Sequence, residues 1–127
     1  MKSLEQAPLI YELCVQATAP LTYRQVLDHL GYGPSARGHV IRYGLELVRL
    51  ACEMRGLPVL TAIVVQQSSG RPSDGGLPED ASDWELEKTR VLACRIWPPA
   101  SEINWQFVWD NRRCLSDKYG MKDYWTN

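Results

Sequence analysis

The sequence lacks most of the devices by which a small protein does chemistry. It has two histidines and no C-x-x-C pair. Its four cysteines, Cys14, Cys52, Cys94 and Cys114, are far apart. Zinc-ligand spacing is therefore missing, and buried free thiols in a reducing compartment are the simpler reading. Neither G-x-G-x-x-G nor G-x-x-x-x-G-K occurs, so no phosphate-cradling loop is encoded. The start, "MKSLEQAPLI", lacks the long apolar core of a signal peptide, and no hydrophobic run approaches a membrane span. A cytoplasmic location is expected. Strong charge is also missing: the net value is −1, where a protein that merely coats phosphate backbones is usually basic.

What is present suits one folded domain of 127 residues, with 45% apolar and 23% charged side chains. Charge is unevenly spread. Between Leu21 and Arg71 six arginines (24, 37, 42, 49, 55 and 71) face only Asp28, Glu46 and Glu53, a local balance of +3. The acids gather later, in "PEDASDWELE".

Helical spacing of Leu4, Leu9, Ile10, Leu13 and Cys14 predicts a first helix, with Ser3 and Gln6 as a capping box or Pro8 as first helical residue. "LTYRQVLDHLG" predicts a second, capped by Thr22 with Gln25 three residues on and stopped by Gly31. A third and longest helix is predicted from about Ser35 to Arg55. Ile41, Leu45, Val48 and Cys52 form its apolar stripe, and His39, Arg42, Glu46, Arg49 and Glu53 its solvent stripe. Arg42–Glu46 and Arg49–Glu53 then read as i,i+4 pairs. Val59 to Val65 reads as a buried strand, followed by the glycine-rich loop "QQSSGRPSDGG". Ser82 and Glu85 form a capping box opening "DWELEKTRVLACRIW". "SEINWQFVWDN" alternates in strand fashion, and a short helix from Ser101 competes with that reading. The tail beyond it has no assignment.

Three helices, a strand and a glycine loop predict an α+β winged helix-turn-helix over about residues 1–76. A C-terminal helical, aromatic-rich extension follows over about 77–127. In that frame the N-terminal end of the third helix reads a major groove, which nominates Ser35, Arg37, His39 and Arg42. Thr22, Tyr23 and Arg24 begin the helix that crosses the backbone, and Arg71 tips the wing. The partner implied is double-stranded DNA, as for a regulator or a module of a nuclease or defence system, with a homodimer compatible. All five tryptophans fall after residue 83. That supports a rival reading in which the acidic, Trp-rich half binds a protein partner through Trp105 and Trp109, as a phage-type inhibitor of a defence complex would. No catalytic constellation, metal site or cofactor is read from the sequence. Asp80, Asp83, Glu85 and Glu87 sit at a helix start, where the dipole alone favours acids.

"LTYRQVLDHLG", "SARGHV", "GLPVLTAIVV" and "SGRPSDGG" together resemble the DNA-binding half of alkylguanine-DNA alkyltransferases, over about residues 20–76. That family has a Thr/Ser-Tyr pair opening a helix, an Ala-Arg-x-Val recognition segment, a Pro-Cys-His-Arg active-site segment and a glycine loop. The resemblance implies DNA contact for Tyr23 and Arg37. Where the family has Cys-His after its proline, this chain has Val59 and Leu60 after Pro58, so no thiol stands ready to accept an alkyl group.

Overall fold

In the computed structural model, residues 1–70 and 84–120 are described. They form six α-helices and a two-stranded parallel sheet: α1 (Ser3–Val15), β1 (Leu21–Thr22), α2 (Tyr23–His29), α3 (Arg42–Met54), β2 (Val64–Val65), α4 (Trp84–Ala93), α5 (Trp105–Asp110) and α6 (Arg112–Lys118). Short 3₁₀ turns at Gly38–Ile41, Leu60–Ile63 and Ala100–Glu102 lead into α3, β2 and α5. The protein is α+β and predominantly helical.

Local chemistry sets several boundaries as the sequence implied. The Thr22 hydroxyl accepts from Gln25 N–H at 3.1 Å, and Thr22 N–H donates to Gln25 Oε1 at 2.8 Å, a complete capping box. Gly31 takes φ +86°, the left-handed turn that closes α2. Other boundaries differ. Lys2, not Ser3, is the N-cap of α1, and the helix runs straight through Pro8. Burial of Ala7, Ile10 and Tyr11 against the rest of the core outweighs the one helical hydrogen bond the proline cannot make.

The third helix departs most from expectation. Ser35 is not its cap: the chain stays irregular through Arg37, tightens into 3₁₀ at Gly38 and becomes α-helical at Arg42. Every residue from Gly44 to Cys52 is buried, including Glu46 and Arg49, which the periodicity assigned to solvent. The reason is packing on several sides. α3 lies against α1, α5 and α6 and against the Leu60–Ile63 turn, so no full stripe is left for water. The expected strand of Val59 to Val65 is likewise mostly the 3₁₀ turn. Only Val64 and Val65 pair, with Leu21 and Thr22 respectively. The alternating "SEINWQFVWDN" forms the 3₁₀ turn and α5 instead of a strand, because Asn104 caps a helix by accepting from Phe107 N–H at 3.0 Å. The Ser82 half of the predicted capping box, Asp80, Asp83, Arg71 and Trp125 lie outside the described residues.

The C-terminal elements complete the same core. Tyr11 on α1 packs edge-on against Trp97 and Trp105, with centroids 6.4 and 5.7 Å away, and its hydroxyl donates to the Pro98 carbonyl. Burial pushes that phenol up to about 12. Trp84 Nε1 donates to the Ala62 carbonyl at 2.7 Å, and Glu87 accepts from Val59 N–H at 2.8 Å, so α4 fastens the segment leading into β2.

Of the described glycines, Gly44 is the most tightly packed. A Cβ there would lie 2.6 Å from Gln6 Oε1 and 3.0 Å from both Gln6 Cβ and Ile10 Cδ1. Gln6 cannot simply swing away, since its amide donates to Tyr32 Oη at 2.7 Å and to the Val40 carbonyl at 2.9 Å. Overpacking costs typically ~1–3 kcal/mol, against which alanine's helix preference returns up to ~1 kcal/mol. Gly44→Ala is therefore expected to lower unfolding stability by about 1–2 kcal/mol in urea melts.

All four cysteines are free. Cys14 and Cys52 are buried, and desolvation pushes both thiols up to about 12. Cys114 is exposed, contrary to a uniformly buried reading, because α6 turns it outward. A thiol reagent at neutral pH should label Cys114 rapidly in the native protein and leave Cys14 and Cys52 unmodified until denaturant is added, as intact and peptide masses will report.

Candidate nucleic-acid interface

β1 ends at Thr22, so Tyr23 emerges beside the strand pair, directly facing the start of α3. Its ring lies 3.7 Å from where a Gly38 Cβ would stand, an ordinary contact that seats the 3₁₀ turn on the tyrosine. The turn is fixed from the other side by the Gln6 amide on the Val40 carbonyl. Between α2, the leading end of α3 and the chain from Thr61 to Ser68 lies an open cleft of about 630 Å³. Tyr23, Arg37, His39 and Arg42 all line it. Four of the eight side chains nominated for DNA thus converge on one concavity.

The other four do not line it. Thr22 is occupied by its capping box. Arg24 pairs with Asp28 at 2.9 Å and donates to the carbonyls of Gly33, Pro34 and Ala36 at 3.1, 3.4 and 3.2 Å. It clamps the loop that presents Arg37. Ser35 is exposed within that loop. Arg71 lies beyond the described part of the glycine loop. That part is a turn in which Gly70 N–H donates to the Gln66 carbonyl at 2.8 Å with Gly70 at φ +67°. Gln66, Gln67 and Ser68 add amides and a hydroxyl to the cleft.

The residue that the sequence pattern missed is Glu46. It lines the cleft, is only 4% exposed, and its Oε2 has no hydrogen-bond partner. Burial pushes its carboxyl up from the ordinary 4.5 to about 7, although the Arg49 and Arg42 guanidiniums pull the other way. Desolvation outweighs both cations. As Glu46 sits four residues after Arg42, it read as half of a solvated ion pair. The signal against that reading is the nearly continuous apolar "LTAIVV", which needs a helix face to cover it. Thr61, at the other wall, is also buried.

The nominated partner residues Trp105 and Trp109 are half-buried. Trp105 Nε1 donates to the Ala100 carbonyl at 3.1 Å, and the Arg112 guanidinium stacks 3.9 Å above the Trp109 ring. Among the described residues, the exposed large apolar side chains of this half are Leu86, Ile96 and Phe107. Among the described residues no group of three or more His, Cys, Asp or Glu is placed to hold a metal ion, and no helix is long and apolar enough to cross a membrane. After Pro58, Val59 and Leu60 are buried, so the position corresponding to an alkyl-accepting thiol is part of the core.

Glu46 makes stability pH-dependent in a stated direction. Between about pH 4.5 and 7 the folded chain keeps a proton that the unfolded chain has released, so stability falls as pH rises through this window and levels off above it. Glu46→Gln removes the dependence. Its stability relative to the parent should rise by about 3 kcal/mol between pH 4.5 and pH 8, since each tenfold difference in proton affinity between folded and unfolded chain is worth ~1.4 kcal/mol. Urea midpoints at four or five pH values measure this, and parallel curves for parent and variant would refute it.

Comparison with protein-family models, with curated proteins and with solved structures gave no match to this chain.

Proposed function

We propose that the chain is a non-enzymatic DNA-binding protein of winged-helix type that grips duplex DNA with the rim of this cleft. In that arrangement α2 and α3 form the helix-turn-helix and the turn after β2 starts the wing. The observation that carries the reading is the convergence of Tyr23, Arg37, His39 and Arg42 on one concavity, with Arg37, His39 and Arg42 exposed. Arginine is suited to both phosphate and guanine edges. Below about pH 7 the Glu46 carboxyl is uncharged, which spares an incoming phosphate backbone a buried negative charge. The resemblance of "LTYRQVLDHLG" and "SARGHV" to the alkyltransferase DNA-binding half supports the same roles for Tyr23 and Arg37. The mildly negative total charge is not an obstacle, because the segment that carries the interface has a local balance of +3 and most of the acids lie elsewhere in the chain.

The protein-partner reading keeps one favourable observation: Ile96 and Phe107 are 77% and 47% exposed. If that reading holds, these exposed side chains join the half-buried Trp105 and Trp109 as its apolar contacts.

Duplex binding should weaken steeply with salt, each phosphate contact adding roughly −0.9 to the slope of log K against log salt. Arg37→Ala with Arg42→Ala should reduce the magnitude of that slope by up to about 2 and leave the melting temperature within a few degrees, since both side chains are exposed. Fluorescence anisotropy over a salt series tests this. A double variant that binds with the parent's affinity and slope, or a parent that does not bind at low salt, would overturn the reading. Phe107→Ser serves as the contrasting variant and should leave DNA binding unchanged.

A further inference from the structure

A charge buried in the wall of a binding cleft acts on whatever enters, without touching it. Glu46 is such a group. It lines the cleft, is almost wholly buried, and its Oε2 has no hydrogen-bond partner to spread a negative charge. It stands four residues after Arg42, about one turn further along α3. The charges that act on it are Arg49 and Arg42 of its own helix. From the other walls the cleft receives Arg37 and His39, at the 3₁₀ turn before α3, and Tyr23 of α2. The chain from Thr61 to Ser68 gives it uncharged side chains. α1, α5 and α6 also pack on α3, and none of their described ionisable groups lines the cleft. Imidazole is the ordinary pH-responsive side chain, so His39 has to be separated from Glu46 by experiment.

We propose that duplex binding at this cleft is coupled to uptake of a proton by Glu46, so that the protein grips a phosphodiester backbone when that carboxyl is neutral and loosens it when the carboxyl ionises. The inference rests on the duplex-binding reading and adds its regulation. An ionised Glu46 opposes the backbone in two ways. It repels a phosphate through a wall of low dielectric, and it holds part of the attraction of Arg42 that the phosphate would otherwise use. A neutral Glu46 does neither. A phosphodiester keeps its single negative charge across the neutral range, so a proton taken up on binding belongs to the protein. In the free protein burial holds the carboxyl at about 7, and a phosphate at Arg42 pushes it higher, since a like charge disfavours ionisation. Affinity is therefore full below about pH 7 and falls as pH rises above it.

Fluorescence anisotropy of the full chain with a labelled duplex, at about pH 6 and about pH 8 and one ionic strength, tests it. Parent affinity should fall about three- to tenfold between the two, the upper limit being set by one proton on a carboxyl near 7. Glu46→Gln should bind equally at both pH values, with an affinity close to the parent's at the lower one. His39→Gln should bind more weakly at both and keep most of the fall. Calorimetry at about pH 7.5, in two buffers of different ionisation heat, should show the parent taking up a fraction of a proton on binding and Glu46→Gln taking up almost none. Should Glu46→Gln fail to fold, the fall and the proton uptake that persist in His39→Gln decide. Equal parent affinity at the two pH values, or a fall abolished by His39→Gln and kept by Glu46→Gln, would overturn the inference and leave the duplex reading in place. No duplex binding at either pH would overturn both.

Discussion

The approach of α1 to α3 at Gly44 governs the rest of the molecule. With no side chain at that position, the buried Gln6 and Ile10 can lie directly on the backbone of α3. Gln6 then spends its amide hydrogens on Tyr32 and on the Val40 carbonyl, which are outside both helices. The consequence is positional. The 3₁₀ turn that opens α3 and the loop before it are held from within by one glutamine and from without by Arg24. Arg37 and His39 are therefore carried on a short irregular segment fastened at two points. A segment held this way loses little entropy when it meets a ligand, the condition under which modest contacts yield useful affinity.

The same burial of α3 creates the unusual electrostatics of the cleft. A helix covered on several sides has to take some polar side chains inside, and Glu46 and Arg49 are those side chains. The competition at Glu46 can be decided from the direction in which its carboxyl moves. Two guanidiniums favour the ionised form, yet the carboxyl stands above its ordinary value, so the lost hydration is the larger effect. Net charge therefore misleads here. Counting Glu46 as a full negative charge at neutral pH overstates the acidity of a region whose exposed groups at the cleft include the cationic Arg37 and Arg42.

The fold is legible in the sequence where the deciding interaction is local. Thr22, Gln25 and Gly31 define α2 because a cap and a left-handed glycine act within a few residues. Periodicity misleads where tertiary contacts decide. The stripe of α3 predicted Glu46 and Arg49 in water, a rule that holds only for a helix with one covered face. Val59 to Val65 has strand composition, but a strand needs a partner, and β1 offers just Leu21 and Thr22. The alternation through Ile103, Trp105, Phe107 and Trp109 imitates a strand, yet Asn104 caps a helix, and in that helix Val108 turns inward while Phe107 turns out. As for the site, Tyr23, Arg37, His39 and Arg42 were legible as a group because an expected helix start gathered them. Glu46 was not, since its importance comes from burial and not from its spacing.

The aromatic C-terminal half bears on the same cleft from behind. Trp84 and Glu87 bind the chain from Val59 to Ala62, and that chain supplies Thr61 and leads into Val64, Gln66 and Ser68 at the cleft wall. Trp97 and Trp105 press on Tyr11 of α1, the helix that carries Gln6. Tryptophans that looked available to a partner are thus part of the support for both walls. Truncating one removes a large buried surface, a change that costs about 3–5 kcal/mol in a core, and shifts a cleft wall as well. Loss of any binding function in a tryptophan variant would therefore be ambiguous by itself. Exposed Phe107, on the same short helix as Trp105 and Trp109, probes a partner surface without disturbing that support.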